Sequence, residues 1–238
     1  VALLATAPGA LADAAADLAA RYAPVAMMRT QAKPCDRSGD VYDPSAVETV
    51  LGNPQVTLRR LGGDERIVAP TSADLAGKDE AWYLDFPGNP KRPGCTYDAW
   101  YRASRGDLPA VAYAHVAGEP GKRGLAVQYW LFYPFNQWNN THESDWEMVQ
   151  VVFAASTPEE ALGEEPLAVG YAQHDNGESA AWDDAKLTRQ GTHPVVYVSA
   201  GSHASYFEPK VYVGRGDGGA GFGCDHADGP RRALDLEA

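Results

Sequence analysis

Asn136-Gln137-Trp138-Asn139-Asn140-Thr141-His142-Glu143-Ser144-Asp145-Trp146-Glu147 runs straight into the apolar segment Met148 to Phe153, and the reading of this junction decides the fold. Val149, Val151 and Phe153 recur at every second position, the period of a strand with one face turned to a core. In the same period Asp145 and Glu147 share that face. Placing a bare carboxylate there costs several kcal/mol unless it is paired or coordinated. Backbone N–H groups or an arginine would answer the need, and so would a cation. With His142 arriving from the preceding loop, the segment offers an imidazole and two carboxylates, a set suited to a divalent metal.

Working outward, the strongest strand signals are Leu125 to Tyr133, Trp146 to Phe153, Leu167 to Gln173 and Pro194 to Ser199, with Val56 to Leu61 as a further candidate. Helices are few. Leu11, Ala15, Leu18 and Tyr22 form one apolar stripe, predicting a helix over about 13–22, and Ser45-Ala46-Val47-Glu48 followed by Gly52 predicts a short helix over 46–51. Pro158 to Gly163 predicts one surface turn. The glycine-rich run Gly214 to Gly223 reads as a long loop, without the strand–helix setting of a phosphate loop. The fold expected is mainly β with some α (α+β): a single-domain β-sandwich with short flanking helices and long loops.

Composition narrows the function. The 238 residues carry a formal charge of −12 and no Lys/Arg-rich run, which argues against a nucleic-acid or anionic-membrane footprint. No apolar stretch reaches the roughly 18 residues of a membrane-spanning helix. Residues 1–12 lack an initiator Met and read as the tail of a signal peptide, leaving residues 13–238 as one domain, cut short at its C-terminus, where Arg231 to Leu236 looks like an element in progress. A secreted or cell-surface location follows, and with it a disulfide between Cys35 and Cys95, both in turn-rich loops. Cys224 is left over; with His226 it makes only a two-ligand metal pair.

The ends of the strands are more telling than their course. One finishes at Asn136, a second at His174-Asp175, a third at Ser202-His203. If they share a rim, Asn136, His142, Asp145, Glu147 and His174 converge as metal ligands, with His203, Trp138, Trp182 and Tyr206 as ligand contacts. The hard set of carboxylate, amide and one imidazole favours Mg²⁺, Ca²⁺ or Mn²⁺, whereas recruitment of further imidazoles favours Zn²⁺.

These residues carry a resemblance. Tyr129 to Asn136, His142-Glu143-Ser144-Asp145-Trp146-Glu147 and His193 to Ala204, with Tyr22-Ala23-Pro24-Val25 and Asp43 to Val47, resemble the vacuolar protein sorting-associated protein sixty-two family, in a bacterial secreted branch. More distantly, the chain is similar to the necrosis- and ethylene-inducing proteins, secreted cytolysins with a Gly-His-Arg-His-Asp-Trp-Glu heptad that helps hold a divalent cation on a β-sandwich. That similarity implies metal ligation by His142, Asp145 and Glu147, with Asn136 nearest an upstream Asp of that family. The second heptad His is replaced by Ser144, a departure that weakens toxicity more than metal binding. Two function classes follow. In the first, a divalent cation at the rim of the sandwich recognises a polar ligand, a glycan or phospholipid head group. In the second, the same cation serves a hydrolase with His174 or Glu143 as base. Ser202 beside His203 lacks the setting of a nucleophilic serine, since adjacent residues do not face each other. Oligomeric state is not written in the sequence.

Overall fold

The computed structural model of the protein describes residues 8–36, 38–118, 123–216 and 221–238. Helix α1 (Pro8–Tyr22) leads into β1 (Val25–Arg29), and then come β2 (Thr57–Arg60), β3 (Arg66–Val68), α2 (Ser72–Leu75), β4 (Trp82–Asp85) and α3 (Thr96–Arg105). The strand-rich body follows: β5 (Tyr113–Gly118), β6 (Leu125–Asn136), β7 (His142–Phe153), helix α4 (Pro158–Leu162), β8 (Ala168–Gln173), β9 (Asn176–Ala181), β10 (Arg189–Gln190) and β11 (His193–Val198). It closes with β12 (Ser205–Tyr206), β13 (Val211–Gly216), β14 (Gly221–His226) and β15 (Arg231–Asp235).

Two sheets make the sandwich-like body. One is the antiparallel meander β5-β6-β7-β8-β9; the other has the order β10-β11-β1-β15, with β12 paired to β11 and β1 parallel to β11. Their inner faces share one hydrophobic cluster, in which Val127, Tyr129, Leu131, Val149, Val151 and Tyr171 of the meander meet Ala26, Met28, Val196 and Val198 of its partner. Tyr171 also donates across the interface to the Val195 carbonyl at 3.0 Å. At one end, Leu18 and Tyr22 of α1 close the core, Tyr22 lying edge-on to Phe153 and to Trp182. The smaller sheets β3-β2-β4 and β13-β14 lie beside this body. A disulfide joins Cys35 to Cys95, as expected, and Cys224 is free and exposed.

Three expectations need correction. The helix predicted over 46–51 is a single 3-10 turn, Val47–Thr49. The Ser45 hydroxyl predicted to cap it is taken by the Asp43 carbonyl and the Tyr101 hydroxyl, and the Val47 N–H donates instead to the Tyr113 hydroxyl at 2.8 Å. The glycine-rich run is no loop over its described residues: Val211–Gly216 and Gly221–His226 pair as a hairpin, with Gly214 directly opposite Gly223. Helix α3 has no counterpart in the sequence reading, although Tyr97, Trp100 and Tyr101 are buried at helical spacing. The first helix begins at Pro8 rather than near Asp13, and residues 1–7 of the predicted leader lie outside the described residues.

Candidate functional site

Strand β7 keeps the period of two through the polar cluster. Glu147, Val149, Val151 and Phe153 are all buried, and Trp146 on the opposite face is exposed. Strands β6 and β7 both run further than expected, to Asn136 and from His142, so the His142–Glu147 part of the polar cluster is itself paired strand and 137–141 is the turn between them. Cross-strand pairing sets Leu131 opposite Glu147 and Tyr133 opposite Asp145. The two carboxylates therefore sit at the rim of the sandwich, on the face that carries the core.

Asp145 is the hub of a short ionic chain. Its Oδ2 accepts from Asn136 Nδ2 at 3.0 Å and from His203 Nδ1 at 2.8 Å. On its far side His203 presents Nε2 to Asp40 Oδ2 at 3.4 Å, an ion-pair distance longer than a good hydrogen bond. Desolvation of the fully buried ring works against its charge, but Asp40 and Asp145 outweigh it and push the His203 pKa up to about 9. The ring is thus an imidazolium at neutral pH. It stacks on Tyr133 with 3.9 Å between ring centroids and 1° between planes. Burial works to raise the Asp145 pKa, yet the hydrogen bonds from His142 and His203 hold it well below the usual carboxylate range.

Glu147 has the opposite environment. It is buried with no hydrogen-bond partner among the described residues, and burial, then the Asp145 charge, raises its pKa well above the ordinary value. The Tyr133 hydroxyl near it is also buried without a partner. A largely buried carboxyl beside an ionised one favours uptake of a cation, either a proton or a metal.

His142 completes the arrangement. Its Nδ1 lies 2.9 Å from the Asn140 carbonyl oxygen, which only accepts, so this nitrogen carries the proton and Nε2 bears the lone pair of the neutral ring. Nε2 faces Asp145 Oδ1 at 3.5 Å. Two acceptors face one another here, and the pKa of His142 is raised chiefly by Asp145 as a proton bridges them. Two neighbouring ligands about 2.1 Å from one ion stand roughly 3–3.5 Å apart, so the spacing also suits a metal. Among the described residues, no three His, Cys, Asp or Glu side chains are arranged to hold an ion as placed. The pair His142–Asp145 fits one, and Glu147 lies one step along the same face.

A second hub, invisible in the sequence, braces the rim. Asp225 on β14 is fully buried and accepts from His174 Nε2 at 2.7 Å, Tyr206 at 2.7 Å, Ser202 at 2.5 Å and Ser199 at 3.3 Å. Its burial favours the neutral acid, and these donors overcome that to lower its pKa. His174, φ +53°, occupies the two-residue turn between β8 and β9, and Trp138 packs on its ring with centroids 4.5 Å apart. Asp225 raises the His174 pKa by accepting its hydrogen bond. Gly214 and Gly223 press the hairpin onto this group: a Cβ at Gly214 would meet Asp225 Oδ2 at 2.2 Å, and one at Gly223 would meet Trp138 at 2.6 Å. Among the described residues, three of the five non-glycine residues with positive φ, Ser144, His174 and His203, lie in this region, where such backbone outliers tend to gather.

The structure therefore brings Asn136, His142, Asp145, Glu147 and His203 to one place. His174, Trp138 and Tyr206 form an adjoining group around Asp225. Trp182 is elsewhere, packed on Tyr22 under the Arg189 guanidinium. Tyr206 has its hydroxyl on Asp225 and its ring stacked on Tyr212. Asp40, Asp225 and Tyr133 escaped the sequence reading, because each is drawn in only by long-range pairing.

No family model and no curated protein matches the chain, so the resemblance to the vacuolar protein sorting-associated protein sixty-two family gains no support. Among solved structures the chain is similar to a mutant of NLPPya, at 19% identity over 83% of this chain and 69% of that one, with a TM-score of 0.44. NLPPya in complex with glucosamine gives 17% identity over 84% and 69%, TM-score 0.43. Necrosis and Ethylene inducing Protein 2, from the causal agent of cocoa's Witches Broom disease, gives 16% over 92% and 71%, TM-score 0.39. The likeness is too distant to carry weight for this chain.

Proposed function

We propose that this chain is a divalent-cation-dependent binding protein for a polar head group, that of a glycan or phospholipid, with the cation held by His142, Asp145 and Glu147 and Asn136 orienting Asp145. The observation that carries this reading is Glu147: a largely buried carboxyl on the same strand face as an ionised Asp145, whose Oδ1 lies 3.5 Å from His142 Nε2. Mg²⁺, Ca²⁺ or Mn²⁺ suits the donor set better than Zn²⁺, because His203 and His174 are engaged with carboxylates and supply no further imidazole. Bound there, the cation would supply open coordination positions for ligand hydroxyl or phosphate oxygens. His203 holds Asp145 ionised and oriented, much as outer partners fix a ligating group.

Binding is favoured over metal-assisted hydrolysis by the state of the bases. His174, a candidate base from the sequence, has a raised pKa and donates to Asp225; Glu143, the other candidate, accepts from Tyr97 at 2.5 Å. His203 is already protonated at neutral pH. Burial raises the Glu143 pKa as well, but all three side chains are held in hydrogen bonds or ion pairs rather than presented as free bases. No helix among the described residues is long and apolar enough to cross a membrane; a secreted or cell-surface location remains part of the proposal.

Calorimetric titration of the metal-stripped protein with Ca²⁺, Mg²⁺ and Mn²⁺ tests the reading. A saturable site is expected in the wild type and at least tenfold weaker binding in Asp145→Asn. Equal binding by both proteins would remove the proposal. Glycan and lipid arrays with and without the bound cation then identify the head group. Cation-dependent turnover of a phosphoester, glycoside or ester, lost in Glu147→Gln, would instead establish the hydrolase.

A further inference from the structure

A cavity of about 540 Å³ opens between the residues after β1, the C-terminal half of α3 and strand β15. In a chain of net charge −12, three arginines line it: Arg102 and Arg105 from α3, and Arg232 from β15. Each is fixed from behind by a buried carboxylate. Asp43, almost wholly buried, is gripped by Arg105 Nη1 on Oδ2 at 2.7 Å, off the ideal hydrogen-bond direction, and by Arg232 Nη2 on Oδ1. Asp98 accepts from Arg102 Nε at 2.8 Å on Oδ1, and from Gln31 Nε2 at 2.8 Å and the Cys35 N–H at 3.1 Å on Oδ2.

The carboxylate among the lining residues, Asp40, takes the N–H of Tyr42 on one oxygen and that of Gly201 on the other, and faces the His203 imidazolium. All six oxygens of these three carboxylates are thus engaged. A guanidinium has five N–H donors in a rigid fork; Arg102 uses two, its Nε on Asp98 and its Nη2 on the Gln31 side-chain oxygen, and Arg105 and Arg232 use one each on Asp43. Three preoriented forks with donors to spare, around a cavity within the roughly 300–1,000 Å³ range of small-molecule sites, are built for an oxyanion that accepts several hydrogen bonds at once.

We infer that this cavity is an anion site for a phosphate group, with room for a small ester around it, and that it is separate from the cation site on the other side of His203. Val41 and Tyr101 supply the less polar wall against which the ester portion rests.

The test is calorimetric titration of the full chain in metal-free buffer, which silences the proposed cation site and makes the two outcomes independent. The probes are inorganic phosphate, glycerol phosphate, and phosphatidylcholine vesicles with or without phosphatidic acid. The proteins are wild type, Arg102→Gln, and Arg232→Lys, which keeps the charge opposite Asp43 while losing the fork. Saturable binding of at least one probe is expected, weakened tenfold or more in both variants, and the probe that binds tightest identifies the source of the phosphate. The inference is overturned if no probe binds saturably, or if either variant, shown folded by circular dichroism, binds within twofold of the wild type.

Discussion

At the scale of single residues, two buried ionisable groups at the rim pull stability in opposite directions. Glu147 has a folded pKa above its unfolded value, so its ionised form is disfavoured by the fold. The cost is absent below the ordinary carboxylate pKa and grows as pH rises through the range up to the folded pKa. Glu147→Gln is therefore expected to stabilise the metal-free protein at pH 7 by about 1–3 kcal/mol in urea denaturation, the scale of holding a polar group largely out of water, and to abolish stabilisation by added divalent cation. A lower melting temperature for the variant in chelator would refute this. His203 behaves in the reverse sense. Its pKa is raised from 6.5 to about 9, so its contribution is fully present below about pH 6.5 and is lost as pH rises through 9. His203→Gln leaves Asp40 and Asp145 without their shared cation and should cost roughly 3–5 kcal/mol at pH 6–7. Melting curves of the two proteins across pH 6–10 should converge towards the alkaline end; parallel curves would show that the ring is not charged.

At the scale of elements, the hairpin of β13 and β14 shows why a glycine run misleads. Its inward positions are Tyr212, Gly214, Gly223 and Asp225, while Val211 and Val213 on the outward side are exposed. The glycines serve close approach to Asp225, His174 and Trp138 rather than freedom of the chain. Gly214→Ala is expected to destabilise by about 1–3 kcal/mol, because the atoms it would strike belong to a saturated, buried hydrogen-bond group that cannot yield cheaply. Gly191→Ala at an open turn, where an added Cβ meets nothing within 4 Å, supplies the comparison for backbone strain alone. If Gly214→Ala, which carries no positive-φ strain, loses no stability in urea, the packing account fails.

The same hairpin marks the limit of what the sequence discloses. Alternation made β6, β7, β8 and β11 legible, and parity placed Asp145 and Glu147 on the inner face, because a strand's own period carries that information. Tyr97, Trp100 and Tyr101 held a helical period that went unread beside the turn-rich Lys91 to Thr96. The partners of the site were beyond local reading altogether. Asp40 meets Gly201 across 161 residues and Asp225 meets His174 across 51, and no spacing rule reports such pairs.

At the scale of the whole molecule, one buried cluster runs from α1 through both sheets to Leu236, and also takes in Tyr97, Trp100 and Tyr101 of α3. Such continuity is what makes a chain unfold as one cooperative unit, and it supports the proposal that the described body is a single domain. The long segment from Cys35 to Cys95 adds Val41, Tyr42, Val50, Val56 and Phe86 to that cluster. Its sheet β3-β2-β4 contributes Leu58 to the buried set, while Leu61, Val68 and Tyr83 are exposed. The disulfide closes this segment over a separation of 60 residues. In the chain-entropy account a loop of that size stabilises by about 4 kcal/mol, through restriction of the unfolded chain. The Cys35 N–H also bonds Asp98, which orients Arg102, so the bridge steadies the arginine-lined cavity as well. Replacing both Cys35 and Cys95 by serine is expected to lower stability by about 2–4 kcal/mol while leaving one unfolding transition, seen alike by tryptophan fluorescence and circular dichroism. Two resolved transitions would show instead that the segment between the cysteines folds as a unit apart from the sandwich, held to it by the disulfide rather than by the shared core.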